Sequence, residues 1–191
     1  GFVYGPRLNA GGRVGNAHMG ARLLATDDGD EARAIAAKLN EFNLERREIE
    51  ATIQAQATEL VESSGRGEQP LLFLADPRWH QGVIGIVASR LKDRYRRPAI
   101  VVAMNDDVGK GSGRSIPGVD LGAAITAAKQ AGLLLAGGGH AMAAGLTVAP
   151  DKLAALEAFL TERIADAMAG QPQARELSLD GALTVSGASR D

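Results

Sequence analysis

Two stretches of the chain combine bare backbone with groups that hold anions. In Gly137-Gly138-Gly139-His140-Ala141-Met142-Ala143-Ala144-Gly145, three glycines are followed at once by a histidine and then by residues too small to shield it. Such a stretch suits the close approach of a phosphate, with exposed amides, one polar side chain and no bulk. It also suits a tight turn between two buried elements, and triple glycine alone favours the turn. The balance shifts with Gly109-Lys110-Gly111-Ser112-Gly113-Arg114-Ser115. Here Arg114 offers a two-pronged guanidinium, Ser112 and Ser115 each offer a hydroxyl, and the flanking glycines let the backbone come near. Two glycine loops carrying Lys, Ser, Arg and His imply one anion site assembled from two places. Arg114 and His140 are separated by a helical stretch, so only the fold can bring them together.

The remaining elements must position these loops, and composition bounds what they can build. The chain has 191 residues, 45% hydrophobic, with a net charge of −2 and no cysteine. That describes one good core with appendages, and it rules out disulfides and thiolate metal sites. No apolar run approaches membrane length and no secretory leader is present, so the expected location is cytoplasmic, with no membrane partner. The chain begins on Gly-Phe-Val-Tyr and reads as a piece of a longer protein. An acidic total argues against a uniformly basic nucleic-acid binder but leaves room for a local basic groove.

Residues 1–29 read as an ordered, irregular loop presenting Arg7, Asn9 and Arg13, followed by a short helix around residues 21–25. The glycines and the proline of Gly5-Pro6-Arg7-Leu8-Asn9-Ala10-Gly11-Gly12-Arg13 argue against regular helix. Residues 30–63 form the clearest helix, with Ile35, Leu39, Phe42, Ile49, Ile53 and Leu60 on a 3-4 spacing broken by Arg46 and Gln56. A single apolar stripe on an otherwise charged helix suits a connector between two bodies. Left partly uncovered, that stripe would invite self-association. Glu45-Arg46-Arg47-Glu48 reads as solvated and self-paired.

From residue 70 to 170, buried strands at 71–75 and 99–104 alternate with helices at 83–95, 120–130 and 151–169. A glycine-loosened strand spans 108–115 and another spans 145–148. The fold class is therefore α/β: a long connecting helix, then a mixed-sheet domain with a largely buried sheet. Trp79 reads as core rather than as a base-stacking platform, His80 as a residue orienting the next helix, and Arg90 to Arg97 as a solvated helix end. Residues 175–191 carry Leu177, Leu179, Leu183 and Val185 and read as the start of a further, truncated β domain.

The Gly-Pro-Arg opening segment, Trp79-His80-Gln81-Gly82-Val83-Ile84-Gly85-Ile86-Val87-Ala88-Ser89-Arg90, Gly111 to Ser115 and Gly137 to Gly145 together resemble the C-terminal part of the RecJ family. These are single-strand-specific 5′→3′ exonucleases within the DHH phosphoesterase superfamily. The resemblance runs from residue 1 to about 170 and implies a connecting helix, a DHH-associated domain and the start of an OB-like domain. It implies that Ser112, Gly113, Arg114 and Ser115 grip substrate phosphates near the 5′ end. His140 would act catalytically beside the scissile phosphate, Gly137, Gly138 and Gly139 would supply backbone approach, and Arg7, Asn9 and Arg13 would face the site. Single-stranded DNA is then the partner, in DNA repair and recombination. A DHH domain in cis would supply the Mn2+ or Mg2+ centre.

That centre needs several carboxylates converging on the ions. The chain has no Asp-His-His motif, and its three histidines, His18, His80 and His140, stand apart. The expectation is a piece without metal and without activity of its own. A second class stays open: the substrate-binding domain of a related nanoRNase or cyclic-dinucleotide phosphodiesterase. An open groove would favour the exonuclease, and a closed pocket for two nucleotides the alternative.

Overall fold

A 35-residue helix forms the axis of the molecule; the computed structural model describes residues 3–169. The expected β segment at 175–191 lies outside the described residues. Helix α4 (Gly29–Ser63) starts where the Asp28 carboxylate accepts the N–H groups of Asp30 (2.8 Å) and Glu31 (3.2 Å), an N-cap reinforced by acids in the first turn. It stops at Gly65, whose left-handed φ of 67° closes the C-terminus.

The N-terminal half of α4 is covered by three short helices, α1 (Tyr4–Leu8), α2 (Gly11–Val14) and α3 (His18–Ala25), which pack on it. The opening segment is therefore helical, which corrects the irregular loop expected ahead of the short helix, while α3 contains the helix expected around residues 21–25. Its glycines serve packing rather than flexibility. A side chain at Gly11 would strike the carbonyl of Asn16, one at Gly15 would lie 2.5 Å from the Phe42 ring, and one at Gly20 would lie 2.6 Å from the carbonyl of Leu8. Small residues let short helices sit close enough to α4 to be held by it, which propensity alone does not reveal.

The apolar stripe of α4 is consequently buried within the chain at Ile35, Leu39 and Ile53, and only its last member, Leu60, is exposed. The stripe does connect two bodies, but both belong to this chain, and the bare face that would invite self-association is largely covered. The two breaks in the stripe acquire polar roles. Gln56 accepts the indole N–H of buried Trp79 at 3.0 Å, and Arg46 is buried with Nη1 on Glu50 (2.5 Å) and Nη2 on Asn43 (3.1 Å). Arg46 is thus no part of a solvated stretch.

The C-terminal half of α4 packs on a five-stranded sheet. Strands β1 (Leu72–Asp76), β2 (Ala99–Met104), β3 (Gly109–Arg114), β4 (Ala136–His140) and β5 (Ala143–Val148) lie in the order β1-β2-β3-β5-β4. Only β1 and β2 are parallel, joined by α5 (Ile84–Tyr95), and the other pairs are antiparallel. One face of the sheet carries a core of Phe73, Ile100, Val102, Leu146 and Val148 under α6 (Leu121–Gln130) and α7 (Leu153–Ala169). The other face carries Leu72, Leu74, Ala99 and Val101 under α5 and α4, with Trp79 between them. This second cover ends at β3. Among the described residues nothing packs over β5 and β4 on that face, which leaves the sheet there less buried than its apolar strands imply. The arginines of α5 do not simply dangle: Arg90 and Arg94 reach Glu50 and Glu62 of α4.

Candidate functional site

Strand β3 alternates glycine with polar residues, and the fold turns that alternation into two different surfaces. Gly109, Gly111 and Gly113 face the core, where side chains at the latter two would lie 2.6 Å from atoms of Leu146 and Leu121. Lys110, Ser112 and Arg114 therefore face the other way, onto the bare side of the sheet. Cross-strand partners share a face, so the register sets out three rows there: Lys110–Thr147–Ala136, Ser112–Gly145–Gly138 and Arg114–Ala143–His140. Arg114 and His140 occupy one row on one face, with β5 between them, at a backbone separation of about 10 Å. Two side chains of that length can converge on one phosphate.

The tight turn at Ala141-Met142 that carries His140 is pinned from outside the hairpin. Ser115 N–H donates to Met142 O and Leu121 N–H to Ala141 O, both at 3.0 Å. Helix α6 can come this close because Gly122 has no side chain; a Cβ there would meet Gly139 O at 2.9 Å. Asp120 caps that helix through the N–H of Ala123.

Residues of the first two rows floor an open trough of about 450 Å³, walled by Gln81 and Gly82 before α5 and by Gly12 and Arg13 of α2, and the row of Arg114 and His140 lies beyond that lining. Arg13 Nη1 donates to Gly82 O at 3.0 Å, and the loop is shaped by His80, whose Nδ1 accepts the Gly82 N–H. Gly85 at the start of α5 clears room for Ser112 and Arg114: a Cβ there would lie 2.9 Å from Ser112 Oγ and 3.0 Å from an Arg114 nitrogen. Arg114 Nη1 donates to Ser112 Oγ (3.1 Å) and Gly113 O (2.7 Å). Burial first, and the charge of Arg13 second, pull the Arg114 guanidinium below its ordinary pKa. Among the described residues, no acidic side chain lines the trough. A half-buried guanidinium repelled by a second one, with neutral hydrogen-bond acceptors in place of a carboxylate, is electrostatically unfinished and favours an anion.

The structure separates the residues expected at the site. Ser112 and Arg13 line the trough, and the register puts Arg114, Gly138 and His140 on the same face beside it. Gly113 is core packing. Ser115 is buried and donates its hydroxyl to Val119 O at 2.7 Å, away from the trough. Gly137 and Gly139 have steric reasons within the fold, since side chains there would meet Ile125 at 2.9 Å and the carbonyl of Ala143. Arg7 is engaged by Asn40 Oδ1 and Val3 O, and Asn9 lines a separate charged groove of about 1250 Å³ along α4. Neither glycine stretch is a loop: both lie largely in β3, β4 and β5. Sequence reading set Lys110 and Gly145 within the two glycine stretches without giving either a role of its own, and it missed Thr147, Gly82 and Gly85 as site residues. The two-residue alternation of Gly-Lys-Gly-Ser-Gly-Arg was the signal for Lys110, and nothing short of the register brings in Gly145 and Thr147.

Residues 68–166 match the family described as the DHHA1 domain. The chain belongs to that family. The DHHA1 region spans the sheet, α5, α6, most of α7 and the trough floor, whereas α4 and the Arg13 wall precede it. A curated relative, the single-stranded-DNA-specific exonuclease RecJ of Dickeya dadantii (strain 3937), is 46% identical over 158 residues, which is 80% of this chain and 27% of the relative. Among solved structures, RecJ of Thermus thermophilus in complex with Mg2+ aligns with a TM-score of 0.75 at 34% identity over 86% of this chain and 25% of that one. The same protein with Mn2+ aligns at 0.76 and 35%, over 86% and 24%. The chain thus spans about a quarter of the length of the proteins it matches, and the helix-then-mixed-sheet architecture is shared with them. Those proteins are solved with divalent metal. Among the described residues of this DHHA1 chain, no three His, Asp or Glu side chains group as a metal ion requires. The trough offers cations, which suit the binding and polarisation of an anion. No helix among the described residues is long and apolar enough to cross a membrane.

Proposed function

We propose that this chain is the substrate-gripping region of a RecJ-like exonuclease that degrades single-stranded DNA from the 5′ end in DNA repair and recombination in the cytoplasm. The Mn2+ or Mg2+ centre would sit on a DHH domain elsewhere in the same polypeptide. The observation that carries this reading is the shared row of Arg114 and His140 beside Ser112 and Arg13, on a face with no carboxylate. Arg114, held by Ser112, takes the terminal phosphate through charge-assisted hydrogen bonds, and Arg13 adds positive potential from the wall. His140 donates a hydrogen bond toward the neighbouring phosphodiester, where negative charge grows during cleavage. The bare floor at Gly138 admits the backbone of the strand. The trough is open at the edge strand β4, which suits an extended strand better than a closed dinucleotide.

The test is single-turnover cleavage of a 5′-phosphorylated oligonucleotide by the full-length enzyme carrying this chain, with thermal melting as control. Arg114→Ala is expected to weaken engagement by roughly 10- to 100-fold, the loss of a contact worth about 1.5–3 kcal/mol. His140→Ala is expected to slow turnover more than it weakens binding. Wild-type kinetics in both variants would end the reading.

A further inference from the structure

Most glycines of β3, β4 and β5 are explained by the fold, and the two that are not lie side by side. Gly138 and Gly145 are cross-strand partners on the bare face, no atom lies within 4 Å of where their side chains would be, and neither has a positive φ. Neither sterics nor backbone conformation therefore requires glycine there. In the next row, the Lys110 ammonium reaches across the strands to donate to Thr147 Oγ1 at 3.0 Å, and among the described residues it forms no ion pair with a carboxylate. A lysine pinned by a hydroxyl over an acid-free trough is a placed positive charge. Its backbone is four residues from Arg114, roughly 13 Å along the strand, and its head rests on a different anchor. The two cations thus serve different phosphates.

We propose that Lys110 and Thr147 form a second phosphate subsite, which holds a phosphodiester of single-stranded nucleic acid downstream of the phosphate at Arg114. The intervening sugar and base lie over the flat floor of Gly138 and Gly145. This deepens the function proposed above and rests on it. It also gives the trough a length: full engagement needs a strand long enough to reach both cations, and a 5′-mononucleotide uses Arg114 alone.

The experiment measures equilibrium binding of thymidine 5′-monophosphate and of 5′-phosphorylated oligothymidylates of three and six residues, with phosphorothioate linkages to block cleavage. The protein is the full-length enzyme, as wild type, Lys110→Ala, Lys110→Arg and Arg114→Ala. Lys110→Ala is expected to leave mononucleotide binding unchanged and to weaken the longer ligands about tenfold. Its plot of log affinity against log salt should be shallower by about 0.7, the loss of one phosphate contact on a single strand. Lys110→Arg should restore both. The same affinity for every ligand as wild type, or equal weakening of mononucleotide and oligonucleotides, overturns the subsite while leaving the Arg114 site intact. Unchanged mononucleotide binding in Arg114→Ala, or no binding by the wild type, removes the gripping function and this subsite with it.

Discussion

At the scale of single residues, the glycines divide by what a methyl group would meet. Gly111 and Gly113 back onto the core under α6 and α7, whereas Gly138 and Gly145 face open space. Alanine at Gly111 or Gly113 should overpack that core, costing about 1–3 kcal/mol. Alanine at Gly138 or Gly145 should leave stability unchanged or raise it by about 0.4–1 kcal/mol, because the unfolded chain loses freedom without any clash in the fold. The same two changes should weaken oligonucleotide binding. Thermal melting and binding measured on one set of four variants separate the two kinds of glycine. Full binding by both Gly138→Ala and Gly145→Ala would mean that the floor need not be bare.

Among the elements, α4 depends on polar contacts at the positions where its apolar stripe fails. The Arg46 and Glu50 side chains are only 10% and 13% exposed, and the Arg46 Nε atom has no partner among the described residues. Removing Glu50 would leave a buried guanidinium without its counter-charge. Glu50→Ala is therefore expected to destabilise the chain by about 3–5 kcal/mol, read from the midpoint of denaturant unfolding. Arg90, which approaches Glu50 from the surface at 3.5 Å, should contribute at most about 1 kcal/mol. Equal effects of Glu50→Ala and Arg90→Ala would show that the pair is not effectively desolvated. On the sheet side, the Trp79–Gln56 hydrogen bond ties the same helix to the segment before α5, so the tryptophan-histidine stretch shapes the trough wall and, at Gly85, packs close against Ser112 and Arg114.

For the whole molecule, the expectation is binding without chemistry. The described residues bring cations to an open trough and group no carboxylates for a metal ion. The 191-residue chain alone should release no nucleotides from single-stranded DNA in the presence of manganese. Reproducible metal-dependent release by the pure chain would place a hydrolytic centre within it. The chain spans about a quarter of its RecJ relatives, so the proposed division of labour places the reaction on the remaining length.

How much of this was legible in the sequence depends on the range of the interactions concerned. Helix α4, β2 and the Asp120-capped α6 were readable because an apolar period, a β-branched run and a cap are local signals. The trough's principal residues were readable as types: arginine, serine and histidine among glycines imply an anion wherever the fold puts them. The helices of residues 4–14 were hidden because glycines such as Gly11 and Gly15 serve close packing, against Asn16 and against Phe42 of α4, and a packing contact leaves no periodicity behind. The face of each site residue was hidden for the same reason. Ser112 and Ser115 looked equivalent, yet one points into the trough and the other is buried against Val119. Gly145 and Thr147 joined the site through strand register, which depends on how β3, β5 and β4 pair across the sheet. Sequence by itself determined the chemistry on offer and the elements that carry it. Tertiary structure alone decided which of those groups share a face.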